Sequence, residues 1–158
     1  MPIYMKYDSI EGDVTAAGHE KWIEVQSFQW GVGRGIQSRT GRGVNREASA
    51  PSISEVVVTK VQDKATIKLL DASLQGEGKT VTIDFVKTDG QKLEKYMTYI
   101  LTNTMVSGYS ISSGGDRPTE SISLNFTKFQ YKDTNMDATN KGAGGAVVTY
   151  DIAAAKVV

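Results

Sequence analysis

The chain has 158 residues and a mass of 17.1 kDa, with Lys+Arg 18 against Asp+Glu 18 and a formal net charge of +0. That length suits one domain able to bury a core without staples, and the absence of cysteine excludes disulfide frameworks, thiolate metal sites and cysteine nucleophiles. A single histidine, His19, removes every multi-histidine metal site, and neutrality with a pI ≈ 6.6 argues against a dedicated nucleic-acid binder.

Proline is scarce at 3 and glycine plentiful at 16, while Ser, Thr, Val and Tyr recur in short alternating runs, which points to β structure. The N-terminus, MPIYMKYDSIEGD, lacks the basic head and apolar stretch of a signal peptide. No apolar run approaches the ~20 residues of a membrane helix.

Ile3, Met5 and Tyr7 alternate with polar neighbours and predict a first strand. From Trp22 to Gly31, Ile23 and Val25 share one parity and Phe28 and Trp30 the other, so a bulge or sharp bend is expected near Ser27. Val32 to Ser52 has no apolar periodicity and reads as a long extended loop, a kind that is functional or mobile in compact domains. Ile53 to Val61 reads as a strand with valine on both faces; Val56, Val57 and Val58 in succession imply that neither side sees water. Asp63 is the expected N-cap of a helix over Lys64 to Gln75, with Ile67, Leu70 and Leu74 as its apolar stripe and Gly76 as the left-handed residue that ends it.

The remainder is again β. Val81, Ile83 and Phe85 alternate, Asp89-Gly90 makes a hairpin, and a long run from Leu93 carries Met97, Tyr99, Leu101, Tyr109 and Ile111. Ser113-Gly114-Gly115-Asp116 turns the chain, and Ile122, Leu124 and Phe126 give way to Phe129 and Tyr131 on the opposite parity, a second bulge. A Gly-rich linker, Lys141 to Gly145, precedes a last strand over Val147 to Ile152. The pattern predicts one all-β domain over residues 1–158, mainly an antiparallel β-barrel, with a single α-helix and a long extended loop.

Catalytic motifs fail on inspection. GEGKT at Gly76 to Thr80 resembles the tail of a phosphate-binding loop, but Ser73 stands where the first glycine belongs, and the segment leaves a helix instead of opening one. GVGRG at Gly31 to Gly35 has the wrong spacing for a dinucleotide fingerprint. His19 has no G-x-S-x-G elbow to serve and reads as a hydrogen-bonding or capping residue. Charge is more telling. Arg34, Arg39, Arg42 and Arg46 lie together with no acid among them, whereas Met1 to Gly31 carries Asp8, Glu11, Asp13, Glu20 and Glu24 against Lys6 and Lys21. Opposite local charges on one chain favour contacts between copies, and head-to-tail contacts generate rings and stacks.

HEKWIEVQSFQWGVGRG (His19 to Gly35), SGGDRPTESISLNFTK (Ser113 to Lys128) and the helix entered through Asp63-Lys64 closely resemble the haemolysin-coregulated protein (Hcp) family, tail-tube components of the bacterial type VI secretion system. The likeness is colinear over nearly the whole chain. It implies hexameric rings around a wide channel, stacked into a tube inside a contractile sheath and capped by a spike protein. Contraction would drive the tube into a neighbouring cell, so the protein would be cytoplasmic before assembly and then secreted without a signal peptide, a part in virulence and interbacterial competition. Family members also hold and chaperone small effector proteins in the ring lumen.

The resulting expectation is a structural subunit and not an enzyme, with no cofactor, no metal, no nucleic-acid partner and no membrane insertion. Arg34, Arg39, Arg42 and Arg46 are expected on the ring-stacking loop, Val56, Val57 and Val58 at the ring interface, and Ser113 in contact with lumen cargo. The alternative is a small β-barrel ligand-binding module or hydrolase, which needs convergent titratable groups in a pocket. Two departures from the family pattern stand out: Thr66-Ile67 where many members open the helix with Ser-Pro or Thr-Pro, and Thr149 where a glycine often precedes Tyr-Asp.

Overall fold

The computed structural model describes residues 1–38, 46–136 and 142–158. In chain order its elements are β1 (Ile3–Tyr7), β2 (Ile23–Val25), β3 (Ser27–Gln29), β4 (Val32–Gly33), β5 (Ile36–Ser38), β6 (Arg46–Ala48), β7 (Ser52–Ile53), β8 (Val56–Val61), α1 (Thr66–Gln75), β9 (Lys79–Asp89), β10 (Lys92–Ser112), β11 (Thr119–Asn125), β12 (Lys128–Met136), β13 (Gly142–Asp151) and β14 (Lys156–Val157). The architecture is antiparallel β with one helix, as alternation in the sequence predicts.

Two layers grow out of a single ladder. One is β2-β1-β9-β10-β12-β13-β14; the other is β3-β8-β11 with the C-terminal half of β10. β10 belongs to both because it is 21 residues long. It pairs with β9 and β12 across Met97 to Leu101, and with β11 from Met105 to Ser112. Its register against β9 slips between Leu101 and Thr104, where Asn103 sits at φ 53. The second crossing is Gln26: β2 pairs with β1, β3 pairs with β8, and the Gln26 amide donates to Thr59 O at 2.7 Å. This is the bend expected near Ser27. The other parity switch is a break at Phe126-Thr127, on either side of which β11 and β12 lie end to end along one edge of β10. Among the described residues the ladder is not closed by hydrogen bonds, so the barrel is an open one joined covalently at Gln26 and β10.

Between the layers lies the core, in which Met5, Ile23, Val58, Ile83, Leu101 and Leu124 are all fully buried. Each aliphatic side chain sequestered there contributes about 1.5–3 kcal/mol.

The helix differs from expectation at both ends. Asp63 does act at the start, its Oδ1 accepting the Ala65 amide at 2.9 Å, but Lys64 and Ala65 form a turn first and regular helix begins at Thr66. Gly76 is extended (φ −70, ψ 152), not left-handed. Glycine is needed there for space, since a Cβ would lie 2.4 Å from Ala72 O. The side chain driven into the core is Leu69, flanked by Ala65 and Ala72. Ile67, Leu70 and Leu74 form a stripe as predicted, but it faces outward, 73%, 42% and 78% exposed.

The Gly-rich linker is also structured. Lys141 lies outside the described residues, whereas Gly142 and Gly145 pair with Met136 and Thr134 as the start of β13. Gly145 permits an approach in which an added Cβ would meet Asp133 O at 2.9 Å.

Leu69→Ala should cost about 2–5 kcal/mol, read as a lower urea midpoint with unchanged slope. Ile67→Ala, measured where the chain is kept monomeric, should stay within about 0.5 kcal/mol of the parent.

Candidate functional site

The segment expected to be a loop is a paired arm. β4 pairs with β7 (Val32↔Ile53) and β5 with β6 (Ile36↔Ala48). Two serines brace it. Ser54 Oγ accepts the Gly31 amide at 2.8 Å and donates to Gly31 O at 2.9 Å, and Ser49 Oγ does the same to Gly35 at 3.0 and 3.2 Å. Val32 and Ile36 remain exposed on the arm, so neither pairs its apolar surface with the chain's own core. Arg34 is exposed there too and Arg46 stands in β6, while Arg39 and Arg42 lie outside the described residues.

The three valines divide by parity. Val56 and Val58 are fully buried in the chain's own core and cannot touch a neighbour, which corrects the expectation that all three form a ring interface. Only Val57, half-buried on the outer face, is available to one. Ser113 is exposed in the β10–β11 turn, where its Oγ donates to Asp116 O at 2.7 Å and accepts the Gly115 amide at 3.2 Å. Its hydroxyl therefore shapes the turn first.

Two buried polar clusters hold these surfaces in place. On β8, Lys60 shares the inward parity of Val56 and Val58; on β11, Glu120 shares that of Ile122 and Leu124; and the two are direct cross-strand partners. Lys60 Nζ donates to Glu120 Oε2, to Asp63 Oδ1 at 2.9 Å and to Val61 O at 3.1 Å, while the Tyr109 hydroxyl donates to Glu120 Oε1. Burial alone would raise the Glu120 pKa. Hydrogen bonds from Lys60, Tyr109 and Thr66, with the Lys60 charge, outweigh it and leave the carboxyl below its ordinary 4.5. Burial, then the Glu120 hydrogen bond and charge, push the Tyr109 phenol well above its usual 10.0.

On the far side of the first layer, His19 Nε2 donates to Asp84 Oδ2 at 2.8 Å, and Thr98 Oγ1 donates to Asp84 Oδ1 at 2.8 Å. The imidazole packs against Tyr4 and Trp22, with ring centroids 5.0 and 4.6 Å away. It is the hydrogen-bonding histidine that the sequence suggests. Its Nδ1 is buried without a partner among the described residues, so no nucleophile is poised on it.

Sequence reading missed the roles of Lys60 and Glu120. The signal was present: a charge of opposite sign at an inward-facing position on each of two strands. Two clefts at the surface are small. One of about 200 Å3 is lined by Asp13, Glu24, Asp63 and Arg117, and one of about 280 Å3 by Ile53, Phe126 and Ile152. Both fall below the roughly 300 Å3 at which small-molecule sites begin. Among the described residues no group of three acidic or histidine side chains is placed to hold a metal ion, and no helix is long and apolar enough to cross a membrane.

A family model described as "Type VI secretion system effector, Hcp" matches residues 4–132. The chain belongs to the Hcp family. Among solved structures, one described as a type six secretion system protein is 30% identical, with 99% of each chain covered and a TM-score of 0.89. A type VI secretion system effector from Yersinia pestis is 23% identical over 94% of this chain and 98% of that one, with a TM-score of 0.76. Hcp1 from Salmonella typhimurium is 20% identical over 99% and 98%, also at 0.76, and these last two likenesses concern the fold alone. No curated protein matches this chain in sequence.

Lys60→Met leaves Glu120 buried without its cation and should cost about 3–5 kcal/mol, most of it recovered in Lys60→Met/Glu120→Leu. Because the folded-state pKa of Glu120 is lowered, its contribution is full above the unfolded value and lost as pH falls through the folded one. Urea melts from pH 7 to pH 3 should show that acid-side loss in the parent and a smaller one in the double variant.

Proposed function

We propose that this chain is a non-enzymatic tube subunit of a type VI secretion system, assembling into hexameric rings that stack, are secreted, and carry small effector proteins in the lumen. One observation carries the reading beyond family membership: a well-packed chain leaves Ile36, Ile67, Leu74, Val147 and Val148 substantially exposed. Ile67 and Leu74 share one stripe of α1 with Leu70, and a contiguous exposed apolar stripe, unlike scattered single side chains, is characteristic of a surface covered by a partner. The partner proposed is another copy, with a spike protein at the tube's end and a contractile sheath around it.

In this reading the arm reaches from one ring to the next, and Arg34, Arg39, Arg42 and Arg46 supply attraction to acidic positions on the adjoining copy. Val57 contributes to the ring contact. Ser113, in a polar turn, faces the lumen and contacts cargo. Export then needs no signal peptide, because the protein leaves the cytoplasm as part of the tube. His19 and Asp84 give no support to the hydrolase alternative, since the dyad is a buried pin and, among the described residues, no hydroxyl is hydrogen-bonded to the imidazole.

Negative-stain microscopy of the purified protein should show six-fold annular particles; a monomer at high concentration would overturn the reading. Exposed charge pairs are screened by salt. Sedimentation should therefore find stacks shortening as sodium chloride rises while single rings persist, with Arg34→Ala shifting that transition to lower salt. Enlarging Ser113 should lower the amount of co-purified cargo with rings intact.

A further inference from the structure

α1 is held to its own chain unequally along its length. The entry is fastened by polar bonds. Asp63 Oδ1 accepts both Lys60 Nζ and the Ala65 amide at 2.9 Å, the Thr66 hydroxyl accepts the Asp63 amide at 3.1 Å, and Thr66 also hydrogen-bonds to Glu120 of the buried pair. Beyond that turn the ties stay inside the helix: Ser73 Oγ donates to Leu70 O at 2.6 Å and Gln75 Nε2 to Asp71 Oδ1 at 2.8 Å. Among the described residues no hydrogen bond or ion pair joins residues 67–78 to either layer. What holds this stretch is apolar and slight. Leu69 is the one buried side chain of the ten, with half-buried Ala72 beside it.

Packing beneath the far end is incomplete. A cleft of about 240 Å3 lies between the C-terminal half of α1 and the end of β1, lined by Tyr7, Ile10, Ala72, Gly76 and Glu77 among others. Tyr7 is 2% exposed, and its hydroxyl has no partner among the described residues. A buried hydroxyl left unmet costs free energy that water would return. After the helix, Gly76, Glu77 and Gly78 make no backbone hydrogen bond to either layer, which leaves slack before β9. Few buried apolar contacts and no polar ties to the body mark a segment that opens well below the free energy of global unfolding.

We propose that α1 is a strap that lifts from β10 as one unit, carrying Leu69 out of the core while both layers stay folded. Away from the sheet a helix of ten residues is too short to persist in water, so its turns melt together. Lifting joins the cleft to the socket that Leu69 vacates and brings water to the Tyr7 hydroxyl. The Lys60 and Glu120 network is the fastening from which the strap swings. Without it the first turn is freed as well.

Hydrogen exchange of the parent chain tests this. Amides from Leu69 to Gly76 should share one protection factor, about 100-fold or more below those of Val58, Ile83 and Leu124. In Lys60→Met/Glu120→Leu the Thr66 amide should join the fast set while the three strand amides stay slow. The chain has no native cysteine, so Leu69→Cys gives a second readout: its thiol should be labelled about 100-fold faster than that of Leu124→Cys. Serial dilution removes any protection lent by a neighbouring copy. Protection of Leu69 to Gly76 equal to the strands at every dilution means a fixed helix and overturns the proposal. Protection lost progressively from Gly76 backward, with the Leu69 amide as slow as the strands, means ordinary end fraying and overturns it too. A Thr66 amide still slow in the double variant would overturn the fastening role of the buried pair.

Discussion

The constraint on which the rest depends is the pairing of Lys60 with Glu120. Two ions placed opposite each other across β8 and β11, both fully buried, each forfeit hydration worth several kcal/mol. That loss is tolerable only if the remaining donors and acceptors are met, and Asp63, Val61 O, Tyr109 and Thr66 meet them. Asp63 also accepts the Ala65 amide at the entry to α1. The buried charge therefore fixes where the helix begins, and through Leu69 which of its faces turns inward. A surface stripe on the outside is set by an ion pair on the inside.

Much of the fold was legible in the sequence because alternation is a strong signal wherever one strand face meets a core. Met5 and Tyr7, Ile122 and Leu124 all sit where parity placed them. The parity switches near Ser27 and before Phe129 mark real transfers of the chain from one layer to the other or along β10. The misreadings share a cause. The stripe of Ile67, Leu70 and Leu74 is real, but an apolar stripe ordinarily turns to its own domain and this one turns away. The arm looked like a loop because only Ile53 of its two short ladders packs against the core, while Val32 and Ile36 stay exposed, so no apolar period records them.

Surface positions were harder to read than core ones for the same reason. A sequence states which residues are apolar, not which molecule covers them. Val56 and Val58 were assigned to a neighbour and belong to the chain itself, whereas Val148 attracted no attention and stands 50% exposed. The charged residues at inward parity, Lys60 and Glu120, contradict the simple pattern and mark the place where polar chemistry organises the interior. Membership of the Hcp family agrees with a chain in which the apolar surface left over, and not a pocket, is the prominent feature.

β10 is shared by both layers and is hydrogen-bonded along both edges over Met97 to Leu101, to β9 and β12. A tensile load directed along that strand cannot peel its bonds one at a time. It must shear two ladders simultaneously, the geometry in which a β-structure resists force best. The same strand that bends at Asn103 to enclose the interior thus acts as a mechanical spine.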